Sequence, residues 1–151
     1  MSIDKDIHQV KFKNEYHKAT VNILYTSSWL MEKIKNVLEE DDITPQQFNI
    51  LRILRGSYPK PLSTLQIRER MLDKMSDTSR IVDRLILKGL VKKTVSKTDR
   101  RLVDVIISLR GRRLLEKLDV KQDDLDGILK NLSDEEAADL SKLLDKIRGT
   151  D

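Results

Sequence analysis

Two short stretches of this sequence carry residue types suited to gripping a polyanion in a set geometry. The first holds Ser76, Asp77, Ser79, Arg80 and, one helical turn beyond, Arg84. Short hydroxyl side chains let a backbone approach closely, and an arginine fork pairs bidentately with a guanine edge or holds a phosphate. The second is Lys97-Thr98-Asp99-Arg100-Arg101. An arginine suits a narrow, negatively charged minor groove, and an aspartate two residues before it can fix the guanidinium by an ion pair. The same five residues also fit a plain turn, in which Asp99 bonds the local backbone and the arginines sit in water.

The charge around these stretches is lopsided. From Lys74 to Arg113 there are twelve Lys and Arg against four Asp, a net of +8, whereas Asp119 to Asp151 holds five against ten, a net of −5. One region is built to meet an anion and the other is not. With no cysteine in 151 residues, disulfides, thiolate zinc sites and thiol redox sensing are excluded. His8 and His17 lie nine apart with no evident metal-ligating partner. A glycine-rich phosphate loop and a paired nucleophile and base are also missing, so the chain reads as a non-enzyme without cofactor or metal. The N-terminal segment mixes charges with apolar residues, and no stretch approaches the roughly 20 apolar residues of a membrane span, so a cytoplasmic setting is expected.

These stretches have to be positioned by the elements around them. From about Val10 to Leu38 neither Pro nor Gly interrupts, and Tyr16, Ile23, Leu30, Ile34 and Leu38 recur at helical spacing. Val21, Tyr25 and Trp29 mark a second apolar face on this long helix. A helix apolar on two sides is sandwiched, and a second subunit is a candidate for one slice. Thr44-Pro45-Gln46-Gln47 is a capping box opening a helix that Gly56 is expected to stop. Ser63-Thr64-Leu65-Gln66 opens a short helix to about Leu72, and a third helix is expected from Lys74 or Met75 to Lys88, closed by a left-handed cap at Gly89. Leu90 to Ser96 and Leu102 to Ser108 then read as a β-hairpin around the basic loop. Ser108 can cap a helix carrying apolar residues as far as Leu132, and Ser133-Asp134-Glu135-Glu136 opens a last amphipathic helix.

Three helices followed by a hairpin with a basic tip form a winged helix-turn-helix, in which the third helix enters the major groove. The expected fold class is mainly α with a small β-hairpin wing. Residues 1–40 form an N-terminal dimerisation helix, 44–108 the DNA-binding unit and 109–151 C-terminal dimerisation helices. The segments "TPQQFNILRIL", "SRIVDRLILKGLVKKTVSKTDRRLVDVIIS" and "RGRRLLEKL" resemble the MarR (multiple antibiotic resistance regulator) family of bacterial winged-helix regulators. The resemblance is close over about Thr44 to Leu118. It implies that Ser76, Asp77, Ser79, Arg80 and Arg84 belong to the recognition helix, and that Lys97, Asp99, Arg100 and Arg101 form the wing tip. Arg101 would enter the minor groove with Asp99 orienting it, and the first helix and the last two would make a homodimer. Ser108-Leu109-Arg110-Gly111 departs from the family's usual Leu-Thr-x-x-Gly entry to the fifth helix but keeps the Gly.

Many members bind aromatic anions between their DNA-binding and dimerisation parts, which makes Tyr25, Trp29 and Phe48 candidate contacts for a small aromatic effector. The expected function is a homodimeric regulator of transcription, a repressor, reading a pseudo-palindrome in double-stranded DNA with half-sites ~34 Å apart. The competing readings are a non-specific, architectural DNA binder held by charge alone and a module that binds only protein.

Overall fold

The computed structural model describes residues 2–99, 101 and 103–149. A four-residue helix, α1 (Ile3–Asp6), precedes the long α2 (Glu15–Leu38). The long helix therefore begins at Glu15 and not near Val10. Asn14 turns the chain, its side chain accepting from the His17 N–H at 2.9 Å, while His17 Nδ1 accepts from the Lys13 N–H at 3.1 Å. A cap chosen by side-chain hydrogen bonding outweighs the absence of helix breakers. The arm before it folds back on α2 through an ion pair between Asp4 and Lys18 at 3.0 Å.

After a 3-10 turn at Glu39–Asp41 come α3 (Pro45–Ser57), β1 (Leu62–Ser63), α4 (Thr64–Arg70), α5 (Thr78–Leu87), β2 (Val91–Val95) and β3 (Val103–Ile107). Both expected capping boxes form here, Thr44 with Gln47 and Ser63 with Gln66. Helix α3 passes through Gly56 and ends at Ser57, because Tyr58 precedes Pro59 and the proline ring holds it extended at ψ 136°. The wing is a three-stranded antiparallel sheet, not a bare hairpin: β3 lies between β2, with Val91 opposite Ile107 and Val95 opposite Val103, and the two-residue β1, with Leu62 opposite Val105.

The core is one cluster beneath the three helices. Leu51 and Leu54 of α3, Ile67 of α4, Val82 and Leu85 of α5, and Val105 and Ile107 of β3 are all buried in it. Helix α5 leaves it through Gly89, whose φ of 71° suits glycine, and the Leu90 N–H donates back to the Leu85 carbonyl at 3.0 Å.

The C-terminal part is more broken than its periodicity suggests. α6 (Leu109–Asp119) is followed by α7 (Gln122–Asp126), a 3-10 turn at Gly127–Leu129, and α8 (Asp134–Ile147) with the third capping box, Ser133 with Glu136. A single helix to Leu132 is not formed. Ser108 does cap α6, accepting from the Gly111 N–H at 3.0 Å and donating to the Gly89 carbonyl at 2.7 Å. Among the described residues no helix is long and apolar enough to cross a membrane.

Candidate nucleic-acid interface

Helix α5 is amphipathic in the way a reading helix must be. Thr78, Val82 and Leu85 are buried against the core, which leaves Ser79, Arg80, Asp83 and Arg84 on the outer face. The helix begins at Thr78, three or four residues later than its expected start at Lys74 or Met75. Asp77 is its N-cap, with a carboxylate oxygen accepting from the Arg80 N–H at 3.2 Å, and upstream the Asp73 side chain accepts from the Met75 N–H at 2.9 Å. Each aspartate closes a local turn that competes with helix, so the helical periodicity did not extend back to Lys74. Ser76 and Asp77 thus precede the helix: Asp77 is committed to capping, and Ser76 is half-buried with its hydroxyl unpartnered. Of the five residues expected on this helix, Ser79, Arg80 and Arg84 project from it.

The wing is tied to the helix it flanks. Lys93 of β2 reaches the Asp83 carboxylate of α5 at 3.5 Å. At the tip, the Ser96 hydroxyl is buried and accepts from the N–H groups of Thr98 and Asp99 at 3.3 and 3.4 Å, which winds the loop. Asp99 Oδ1 then accepts from both the Arg101 N–H at 3.0 Å and the Arg101 Nε at 3.3 Å. One oxygen makes both the turn contact and the ion-pair contact that the sequence left as alternatives. Among the described residues the pair is single-pronged rather than bidentate, and the Arg101 side chain is 91% exposed. Lys97 is exposed beside it. Arg100 and Leu102 lie outside the described residues.

A further cation escaped the sequence reading. Arg68 of α4 borders a concavity of about 420 Å³ with Thr64, Leu65, Ser76, Asp77, Thr78 and Ser79, alongside the start of α5. Its position, one turn beyond the Ser63 capping box on the helix that packs against α5, is the signal that could have found it.

The three aromatic candidates are not brought together. Tyr25 and Trp29 share a concavity with Ile3, Lys18 and Asn22, beneath the folded-back arm. Phe48 lines a separate crevice of about 720 Å³ with Leu30, Ile34, Met71, Leu125 and Ile128, and Arg52 stacks on its ring at 5.5 Å. Each residue advances about 100° around a helix, so Leu30 and Ile34, which face α3, point well away from Tyr25 and Trp29. Among the described residues no group of three or more His, Asp or Glu side chains could hold a metal ion.

The sequence model of the MarR family matches residues 43–103, a span running from the approach to α3 to the first residue of β3. Over this stretch the chain resembles the MarR family. Solved structures agree in fold over nearly the whole chain. A mutant of E. coli MarR crystallised with operator DNA superposes with a TM-score of 0.80 at 25% identity, covering 91% of this chain and 99% of that one. A MarR transcription factor from Planctomyces limnophilus gives 0.67 at 27% identity, covering 89% and 98%. The S. aureus MepR–DNA complex gives 0.75 at 22%, covering 93% and 99%. A comparison with curated protein sequences finds no match.

Proposed function

We propose that this chain binds double-stranded DNA sequence-specifically as a homodimeric transcriptional repressor, with Ser79, Arg80 and Arg84 in the major groove and Arg101 in the adjacent minor groove. The observation that carries this reading is the wing tip. A lone cation on a disordered loop would serve charge alone, whereas Arg101 is held by Asp99 and yet leaves most of its guanidinium to the outside. MarR from E. coli was crystallised on operator DNA with the same fold, which supports DNA as the polyanion. Binding of fragments selected from the source genome, competed against random duplex at fixed salt, tests it. Selected DNA should be preferred by a factor of about 10³ or more. Equal competition would favour the architectural reading instead.

Dimerisation is supported by apolar surface that the monomer leaves open. On α2 Tyr16 is 83% exposed, and Leu24, together with Leu143 and Ile147 of α8, is also exposed. Side chains of this kind at helical spacing on both terminal helices suit a self-complementary interface. An effector would sit in the Phe48 crevice, which is mainly apolar and has Arg52 at its edge to pair with an acid group. Of the expected contacts this keeps Phe48, leaves out Tyr25 and Trp29, and adds Arg52. Release of bound DNA by aromatic carboxylates, lost in Arg52→Ala, is the outcome this predicts.

A further inference from the structure

The turn that joins α2 to the winged helix is acidic, Glu39-Glu40-Asp41-Asp42, and it is gripped by α6, whose Leu115 and Leu118 are buried in the winged-helix core, and by the end of α5. Asp41 is the centre of the grip. Its side chain is only 2% exposed, and its two oxygens take separate partners on α6 and just beyond it: Oδ1 pairs with Lys117 Nζ at 2.7 Å and Oδ2 with Lys121 Nζ at 3.0 Å. Lys121 also reaches Glu40 at 3.0 Å. On the other side Lys88, at the end of α5, donates to the Asp42 carbonyl and, at 3.1 Å, to Gln47 Oε1. Asp42 itself sits in the left-handed region at φ 50°, so the chain bends sharply there.

Burying a carboxylate is costly unless it is paired and hydrogen-bonded, and replacing such a cluster by apolar side chains is often neutral or stabilising. Stability alone is therefore a weak reason for this arrangement, while a defined bend is a strong one. Helix α2 has 24 residues, hence a length of about 36 Å. A tilt of about 10° at its foot would move its far end by roughly 6 Å, close to two base-pair steps of ~3.4 Å each. Because α2 would pack against the second subunit, the angle at this turn sets how far apart the two α5 helices lie.

We propose that Asp41 is a positioning residue for DNA binding: clamped between Lys117 and Lys121, it fixes the angle between α2 and the winged helix and thereby the spacing of half-sites the dimer accepts. This rests on the reading of the chain as a dimeric, sequence-specific regulator. The hydrogen bonds from Lys117 and Lys121 also hold the Asp41 carboxyl below its ordinary pKa, so the clamp is formed at neutral pH.

The test uses the full-length chain and two probes: the duplex it enriches from a random pool, and a duplex carrying half of that sequence. Asp41→Asn, confirmed folded by thermal melting, should bind the half-sequence within about twofold of the parent and the full duplex about tenfold more weakly, since only the second depends on two correctly spaced contacts. A fresh selection with the variant should return half-sites at a wider range of spacings. Unchanged affinity for the full duplex, or an equal loss on both probes, would overturn the role. Should Asp41→Asn not fold, Lys117→Met carries the same test, as it removes an exposed cation and leaves Lys121 in place. If the parent enriches no two-part sequence, the dimeric-regulator reading fails and the positioning role with it. A two-part sequence bound alike by parent and variants sinks the positioning role alone.

Discussion

At the wing tip, Asp99 and Arg101 have separable jobs, because one carboxylate oxygen holds both the backbone of Arg101 and its guanidinium. Arg101→Ala removes a cation from the groove and should weaken binding of selected DNA by ~1 to 3 kcal/mol, with the salt dependence flattened by about one phosphate equivalent. Asp99→Ala is expected to weaken binding as well, although it takes a negative charge away from DNA. Net charge alone would give the opposite sign. Asp99→Asn refines the point, since the amide oxygen retains an acceptor for the Arg101 N–H but loses the charge that orients the side chain; it should fall between parent and alanine variant. The melting temperature should hardly move, because an exposed ion pair contributes at most about 1 kcal/mol. Titration against selected DNA at several salt concentrations reads all three, and a folded Asp99→Ala protein that binds as tightly as the parent would reduce the wing to a basic patch.

Among the elements, α5, the sheet and α6 join closely at Gly111. A Cβ on Gly111 would lie 2.2 Å from the Leu90 carbonyl oxygen and 2.8 Å from a side-chain carbon of Ile107, both of them parts of the wing's base. Neither the backbone nor a buried isoleucine has room to retreat. Gly111→Ala should therefore destabilise the fold by on the order of 1 to 3 kcal/mol and lower Tm by several degrees. Gly127→Ala is the matched control: nothing lies within 4 Å of its Cβ position, so stability should stay level or rise by about 0.4 to 1 kcal/mol. Equal melting curves for the two variants would show that the α6 entry is looser than the geometry implies. The same join explains why the unusual Ser108-Leu109-Arg110-Gly111 entry works: Ser108 caps the helix while its hydroxyl closes on Gly89 at the exit of α5.

On the scale of the whole molecule, ion pairs connect parts far apart in sequence. Arg55 of α3 donates twice to Asp119 at the end of α6, at 2.8 and 3.1 Å, and these bonds hold the Asp119 carboxyl below its ordinary pKa of 3.8. A carboxyl depressed in the folded state adds stability that is present above its unfolded pKa and disappears as pH falls through the folded value. Asp41 behaves alike. Arg55→Met should thus melt below the parent at pH 7, and the gap should close as pH is lowered through 3.8 and beyond; a gap constant with pH would show that Asp119 is not the partner that matters. Assembly is the second prediction at this scale. Sedimentation at micromolar concentration should give twice the 17.6 kDa chain mass, and a glutamate at Leu143, exposed on α8, should shift the equilibrium toward monomer.

What the sequence determined by itself was local. Capping boxes at Thr44, Ser63 and Ser133, the Gly89 exit, the strand alternation through Val103, Val105 and Ile107, and the acidic residue two before Arg101 are short-range patterns whose hydrogen bonds close within a few residues, so they are readable in one dimension. Tertiary structure decided whatever depends on contacts between distant segments or on competition between local ones. Leu62–Ser63 became a third strand only because β3 lay beside it, and α5 began at Thr78 because the Asp77 carboxylate met the Arg80 N–H. Phe48 parted from Tyr25 and Trp29 because α3 packs on one side of α2 while the N-terminal arm covers another. The burial of Asp41 between Lys117 and Lys121 arose from packing of residues more than 70 positions away, a separation that no local periodicity encodes.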